Sequence, residues 1–426
     1  MANRVEIISK ETILPSSPAE PHIRELKLSF LDQIAVPIYT PIIYFYTDDQ
    51  SDQFCPTDIL LRLKKSLSDA LTIFYPIAGR IRDGNRFIDC NDNGAEFIEA
   101  MVHRKLADII ENCDMDELRE YLPVQPQDHP HQGEATVLLV QANLFDCGGI
   151  AMAVCLSHKV ADGNSLSKFV QAWAAISRGE AAGVVAPNFH VLAEQFRPID
   201  LPEPDLSPSK FIYREKIVTR RFIYDDQKLA SLRAEIATAE GSKVKDPSRV
   251  EAVSASIWRH FIEHHRRNGC RTFAAVHPVN LRPRMADPPL QAFGNCYVLS
   301  PAYVADGDGE HELHRLAELL RNAFRKIDGE YIGEIQRSGG GEYQTLRQSI
   351  AITKKEGASV CSFSSWCGFP VYGTDFGWGK PAWVCTTIFP FKNIVILMSR
   401  ADGKGIEAWV NMLEDDDDGD FKTLGD

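Results

Sequence analysis

Residues 149–174 read "GIAMAVCLSHKVADGNSLSKFVQAWA". The opening run to Ser157 is almost wholly apolar and of the length expected for a buried strand. After Asp162, Gly163 and Asn164 break the chain, and Leu166, Phe169, Val170, Trp173 and Ala174 resume at helical spacing. Strand, turn and amphipathic helix in direct succession is the unit from which α/β domains are assembled. His158 and Asp162 occupy the turn. A histidine at the mouth of a buried strand suits a general base held by a rigid scaffold. It equally suits a structural histidine hydrogen-bonded at a strand end, and local features leave both readings open. The spacing of the pair decides nothing, because 12 histidines in 426 residues yield about one such match by chance.

The same alternation extends outward. Upstream, "TDILLRLKKSLSDALTIFYP" places Ile59, Leu60, Leu63, Leu67, Ala70 and Leu71 on one helical face, with Thr57 as the expected N-cap and Pro76 as the stop. "ATVLLVQANLF" reads as a second buried strand, joined to the first through the turn "DCGG". Downstream, "KIVTRRFIY" is a strand and "DDQKLASLRAEIATAE" a helix with acidic residues in its first turn. "SRVEAVSASIWRHFIEHHRR" opens with Ser248 and Glu251 at capping-box spacing and carries Val250, Val253, Ile257 and Phe261 on one face. Strands are expected at "RTFAAVHPVNL", "NCYVLSPAYV", "PAWVCTTIF", "NIVILMS" and "GIEAWVNM". Pro198, Pro202, Pro204 and Pro208 lie between the two periodic regions, as in a crossover linker between domains.

Composition narrows the function classes. With 46 basic and 59 acidic residues the net charge is −13, and six of the seven residues from Glu414 to Asp420 are acidic, which disfavours a nucleic-acid partner. The acidic run reads as a solvated end. "MANRVEIISKETILPSSP" lacks the apolar core of a signal peptide, and no segment is long enough to span a bilayer, so the expected location is the cytoplasm, without membrane partners. The ten cysteines contain no CxxC pair and no zinc-like spacing, so they are expected to be reduced, and no metal is indicated.

A second conspicuous stretch is "YGTDFGWGKP", residues 372–381. Gly377 and Gly379 flank Trp378, and Asp375 is the only charge before Lys380. The loop either touches a ligand or is a packed turn whose aspartate is paired with an arginine, since buried carboxylates are rarely left unpaired.

Together these stretches carry a resemblance. "SHKVAD" and "DFGWGKP", with "LDQ" at 31–33, "FYPIAGR" at 74–80, "FDCGG" at 145–149, "SRVEAVSASIWRH" at 248–260, "VNLRPRM" at 279–285 and "FGN" at 293–295, resemble the plant BAHD acyltransferases in the right order along nearly the whole chain. "ETILPSSP", "CNDNGAEF", "RGE", "SSWC" and "GIEAWVNM" most resemble its vinorine synthase-like branch of alkaloid, terpenoid and alcohol acetyltransferases. Where that family continues past "EAWVNMLEDD" into a C-terminal helix, this chain reads "DDGDFKTLGD".

The resemblance implies an α/β fold like chloramphenicol acetyltransferase, with two domains of mixed sheets flanked by helices and an active-site channel at their interface. Residues 1–197 would form the N-terminal domain, completed by about 375–400, with a linker at 198–212 and a C-terminal domain over the rest of 213–426. It implies acyl-CoA as cosubstrate, acetyl-CoA by default, no permanently bound cofactor, a small hydrophobic alcohol as acceptor and a monomer. His158 would be the base. Asp162 would support the site structurally by pairing with Arg282, Ser364 and Trp366 would supply the oxyanion donor and orient the acyl group, and Ser248 and Arg249 would contact CoA. Asp375, Gly377, Trp378 and Gly379 would shape the fold without doing chemistry. For Ser248, plain helix capping is the alternative.

Other readings stand beside this one. A longer or aromatic acyl-CoA, or an amine acceptor, changes the partners but not the chemistry. A catalytically silent homologue retained for binding belongs to another class. A serine hydrolase is excluded, because the chain has no G-x-S-x-G elbow.

Overall fold

The computed structural model describes residues 5–47, 55–82, 86–129, 135–199, 216–305, 311–338 and 357–414. Two compact units emerge: Met1–Phe211 with Pro289–Asn295 and Phe369–Phe389, and Ile212–Pro288 with Cys296–Gly368 and Pro390–Asp426. All but Pro198 and Ile199 of the expected 198–212 linker, and the acidic run after Glu414, fall outside the described residues.

The first unit contains β1 (Val5–Ile13), β2 (Glu25–Lys27), β3 (Tyr39–Tyr46), β4 (Arg80–Arg82), β5 (Phe87–Asp89), β6 (Ala95–Val102), β7 (Ala135–Thr136), β8 (Leu138–Phe145) and β9 (Ile150–Ser157). Its helices are α1 (Phe30–Ile34), α2 (Pro56–Ile73), α3 (Leu106–Glu111), α4 (Met115–Glu120), α5 (Gly163–Ser177) and α6 (Val191–Gln195). The second unit contains β10 (Ile217–Tyr224), β11 (Thr272–Asn280), β12 (Tyr297–Ala305) and β13 (Ala358–Ser365), with α7 (Asp226–Thr238), α8 (Arg249–Arg267), α9 (Leu313–Arg325) and α10 (Gly329–Ser338). β14 (Trp383–Cys385) returns to the first unit, and β15 (Ile394–Ser399) and β16 (Ile406–Leu413) to the second.

Each unit is built on a mixed six-stranded sheet, in the order β1-β6-β8-β9-β3-β14 and β10-β16-β15-β13-β11-β12 respectively. In the first, β6 and β8 are parallel and the other pairs antiparallel. In the second, β15-β13 and β13-β11 are the parallel pairs. A small antiparallel sheet, β2-β5-β4-β7, completes the first unit. Every residue of β3 and β9 is buried, the pattern of a strand covered on both faces.

β3 carries Pro41, which a central strand normally excludes. The carbonyls of Pro41 and Phe45 accept from Thr386 and Ala382, so Pro41's missing donor lies on the edge facing β14. β14 pairs only with residues 43–45, so no ladder bond is lost.

Several local expectations are revised. The N-cap of α2 is Cys55, not Thr57, because Pro56 takes the first helical position, where its missing N–H costs nothing. Gly163 and Asn164 do not break the chain but form the first turn of α5, with Asp162 as N-cap. "PAWVCTTIF" pairs only over Trp383–Cys385. The segment returning to the first unit ends at Phe389 rather than 400, because β15 is hydrogen-bonded between β13 and β16. The short stretch Pro289–Asn295 also belongs to the first unit, which periodicity gave no reason to expect.

α2 and α5 are tied to each other where the Trp173 indole N–H donates to Ser66 Oγ at 3.0 Å. In the second unit, α8 buries Val253, Ile257 and Phe261 against a core that includes Leu316 and Leu320 of α9 and Val395 and Leu397 of β15. Its capping box is complete: Ser248 Oγ accepts from Glu251 N at 3.1 Å, and Glu251 accepts from Ser248 N at 2.8 Å. No helix among the described residues is long and apolar enough to cross a membrane.

Candidate active site

β9 ends at Ser157, and the turn that follows is held from several sides within the first unit. The His158 backbone N–H donates to Ile38 O at 2.9 Å. The buried Lys159 ammonium donates to Gln33 O and Ala35 O at 2.8 and 3.0 Å, taking carbonyls at the C-terminal end of α1, where a cation is favoured. Burial lowers the Lys159 pKa to about 7. Asp162 Oδ1 accepts from Ser165 N at 2.9 Å, which anchors the start of α5.

The His158 ring meets Asn295, with Nδ1 3.1 Å from Asn295 Oδ1. The Asn295 amide has only one chemically consistent orientation. Its Nδ2 lies 2.9 Å from Asp32 Oδ1 and 2.7 Å from His158 O, and both of those atoms are acceptors. Nδ2 therefore donates and Oδ1 accepts, so the proton of the neutral imidazole is on Nδ1 and its lone pair on Nε2. Burial holds the imidazole pKa below its ordinary value, against the opposing effects of a hydrogen bond to the residue's own backbone, Asp162's charge and the Asn295 bond. A neutral ring with a lone pair on Nε2 is the form a general base requires near pH 7.

Asn295 reaches this position because Pro289–Asn295 is pinned to the first unit. Asn188 N donates to Gln291 O, and Phe293 N donates to Asn188 O. The Phe293 ring packs edge-on against Phe74 and Phe189. Gly294 adopts φ +137°, a backbone conformation that residues with a side chain rarely take, so this crossing favours glycine. Its N–H and carbonyl both bond to Ser165 Oγ.

The Asp375 carboxylate is hydrogen-bonded within its own loop, with the charge of the Arg178 guanidinium close by. Oδ1 accepts from the loop's own amides, Gly377 N at 2.7 Å and Gly379 N at 3.0 Å, while Arg178 donates to the Asp375 carbonyl instead. Gly377, at φ +108°, passes so close to the Arg62 guanidinium that a Cβ would sit 2.7 Å from Nη2. Phe376 and Trp378 stack on each other and both meet Tyr46 edge-on, while Ser177 Oγ donates to Phe376 O. The loop thus fastens the end of α5 to β3. Asp375→Ala is expected to lower unfolding free energy by about 1 kcal/mol, the cost of leaving two half-buried amides without their protein acceptor. Unchanged urea denaturation would contradict this role.

The other expected site residues lie in the second unit. The Trp366 indole N–H donates to Ser364 Oγ at 3.1 Å, so of these two side chains the Ser364 hydroxyl keeps the donor. Arg282 is buried at the start of a 3-10 turn, with its N–H and Nη1 on Asn280 Oδ1. The Ser248 hydroxyl is engaged in the capping box, and Arg249 Nη1 donates to Gly403 O and Lys404 O.

The contacts of Asn295 with His158 and of Asp32 with Asn295 gave no signal in the sequence. Asp32 and Asn295 lie in quoted motifs, "LDQ" and "FGN", but nothing in their spacing links them to "SHKVAD".

A model of the Transferase family matches residues 3–417, and the chain belongs to that family, the BAHD acyltransferases. It is an acyltransferase. Stemmadenine O-acetyltransferase of Catharanthus roseus is 40% identical, over 98% of this chain and 96% of its own length. Vinorine synthase of Rauvolfia serpentina is 39% identical, over 98% and 96%. The crystal structure of vinorine synthase superposes with a TM-score of 0.84, covering 97% of this chain and 95% of that one. Limonoid 1-O-acetyltransferase of Citrus sinensis is 33% identical, over 96% and 94%.

Proposed function

We propose that the protein transfers an acetyl group from acetyl-CoA to a hydroxyl of a hydrophobic alkaloid or terpenoid alcohol, with His158 as general base. The observation that carries this reading is the His158 ring at the end of β9, with Nδ1 3.1 Å from the Asn295 Oδ1 acceptor. The names of the similar proteins, two of them O-acetyltransferases, support the acetyl group and the hydroxyl acceptor.

An alcohol is far too weak an acid to ionise at pH 7, so its proton must leave as the oxygen attacks. His158 Nε2 takes that proton while the alcohol oxygen bonds to the thioester carbonyl carbon, giving a tetrahedral oxyanion and an imidazolium. The C–S bond then breaks, the ester is released, and the imidazolium proton passes to the departing thiolate as free CoA. No covalent enzyme intermediate is needed. On this reading Ser364 supplies the oxyanion donor, an interaction typically worth about 3 kcal/mol, and Trp366, whose indole N–H bonds to the Ser364 hydroxyl oxygen, helps orient the acyl group.

The test follows release of CoA thiol from acetyl-CoA with a panel of alkaloid, terpenoid and simple alcohols. Release that depends on the alcohol is the expected result. Release only from malonyl-, benzoyl- or coumaroyl-CoA would replace the donor, and release from none of these would move the assignment to a silent binding protein.

A further inference from the structure

Behind the His158–Asn295 contact lies a buried carboxylate that the acyl-transfer chemistry does not use. Asp32 occupies the third position of α1 and is 4% exposed. It accepts from Ser29 N at 2.9 Å, Ser29 Oγ at 2.6 Å, Asn295 N at 2.8 Å and Asn295 Nδ2 at 2.9 Å. Burial raises its pKa, while these donors favour the ionised form.

We propose that Asp32 is a positioning residue of the active site, acting through the Asn295 amide to keep the His158 proton on Nδ1. An asparagine amide is nearly symmetric in shape, so packing alone does not decide which end faces the ring. Turned over, Asn295 would present its NH2 to Nδ1 and bring its carbonyl oxygen to 2.9 Å from Asp32 Oδ1 and 2.7 Å from His158 O. Oxygen would then face oxygen at both contacts, one of them a carboxylate in a buried setting where such repulsion is poorly screened. In that orientation the imidazole proton would move to Nε2, and the lone pair would point at Asn295. The Asp32 carboxylate thus selects the amide orientation, and the amide selects the tautomer.

α1 is shaped for this task. Its capping box fixes the Asp32 side chain on the Ser29 backbone, and its last carbonyls hold Lys159, the residue next to His158. One short helix therefore braces the turn both through the chain and through the ring.

This inference rests on His158 being the base, and the experiment separates the two claims. Protein labelled with 15N at histidine is examined by NMR at pH 8, with the His158 signals assigned by their loss in His158→Ala. In wild type, Nδ1 is expected to carry the proton. In Asp32→Ala the Nε2-protonated form should rise to half or more, and kcat should fall about tenfold or more while KM for acetyl-CoA stays within about twofold. Asp32→Asn, which keeps the shape and can still cap α1, should move both readouts in the same direction by less. A His158 spectrum unchanged in both variants would overturn the proposal, even if kcat fell. A changed tautomer with unchanged kcat would uphold Asp32's positioning of the ring and refute the base reading.

Discussion

His158→Ala is expected to lower kcat/KM for acetyl transfer by about a thousandfold, within the range a positioned general base contributes. The truncation removes the only group placed to accept the alcohol proton in the proposed mechanism, leaving binding and oxyanion stabilisation in place. The fold should survive. The turn remains held by the backbone bond from residue 158 to Ile38, by Lys159 on the α1 carbonyls and by the Asp162 cap. In the wild type, the acid limb of kcat/KM is expected below pH 6.5, because burial depresses the imidazole pKa and protonation removes the base. Activity within about threefold of wild type in a folded variant would refute the assignment.

The second large effect concerns stability and lies in the second unit. His277 on β11 is 3% exposed, stacked on Phe363 with ring centroids 4.4 Å apart, and bonded through Nε2 to Ser254 Oγ. Burial lowers its pKa to about 3. Between that value and about 6.5, the unfolded chain takes up a proton at this residue and the folded protein does not, so acidification favours unfolding by about 1.4 kcal/mol per pH unit. Above pH 6.5 both states are neutral, and the residue contributes no pH dependence. Wild type is therefore expected to lose about 2 kcal/mol relative to His277→Leu between pH 7.5 and pH 5. The comparison is made by urea denaturation of both proteins at the two pH values, and a constant difference between them would show that His277 titrates normally in the fold.

Much of the architecture was legible because it depends on neighbours in the chain. The apolar run before Ser157, the helical spacing after it and the Ser248–Glu251 pair all report contacts within a turn or two. Where a local rule misled, another local rule had prevailed. Pro56 displaced Thr57 as the determinant of the α2 start, and Gly163, read as a breaker, sits in the first turn of α5 where its lack of a side chain makes room for Phe369. β3 gave no clear signal because it is buried on both faces, which erases alternation, and contains a proline. That proline is tolerated only because β14 is short.

The sequence by itself determined the α/β class, the strand–turn–helix that presents His158 and, through its motifs, the acyltransferase family. Only the tertiary structure decided what orients the histidine. Asp162 is the carboxylate that spacing offers, yet the chain directs its side chain to cap α5. The ring instead meets Asn295, 137 residues away, and Asn295 meets Asp32, 263 residues away. Periodicity and capping reflect forces between residues a few positions apart. A hydrogen bond between segments this distant depends on where the chain crosses itself, which Gly294 and the packing of Phe293 settle only once the first unit has formed.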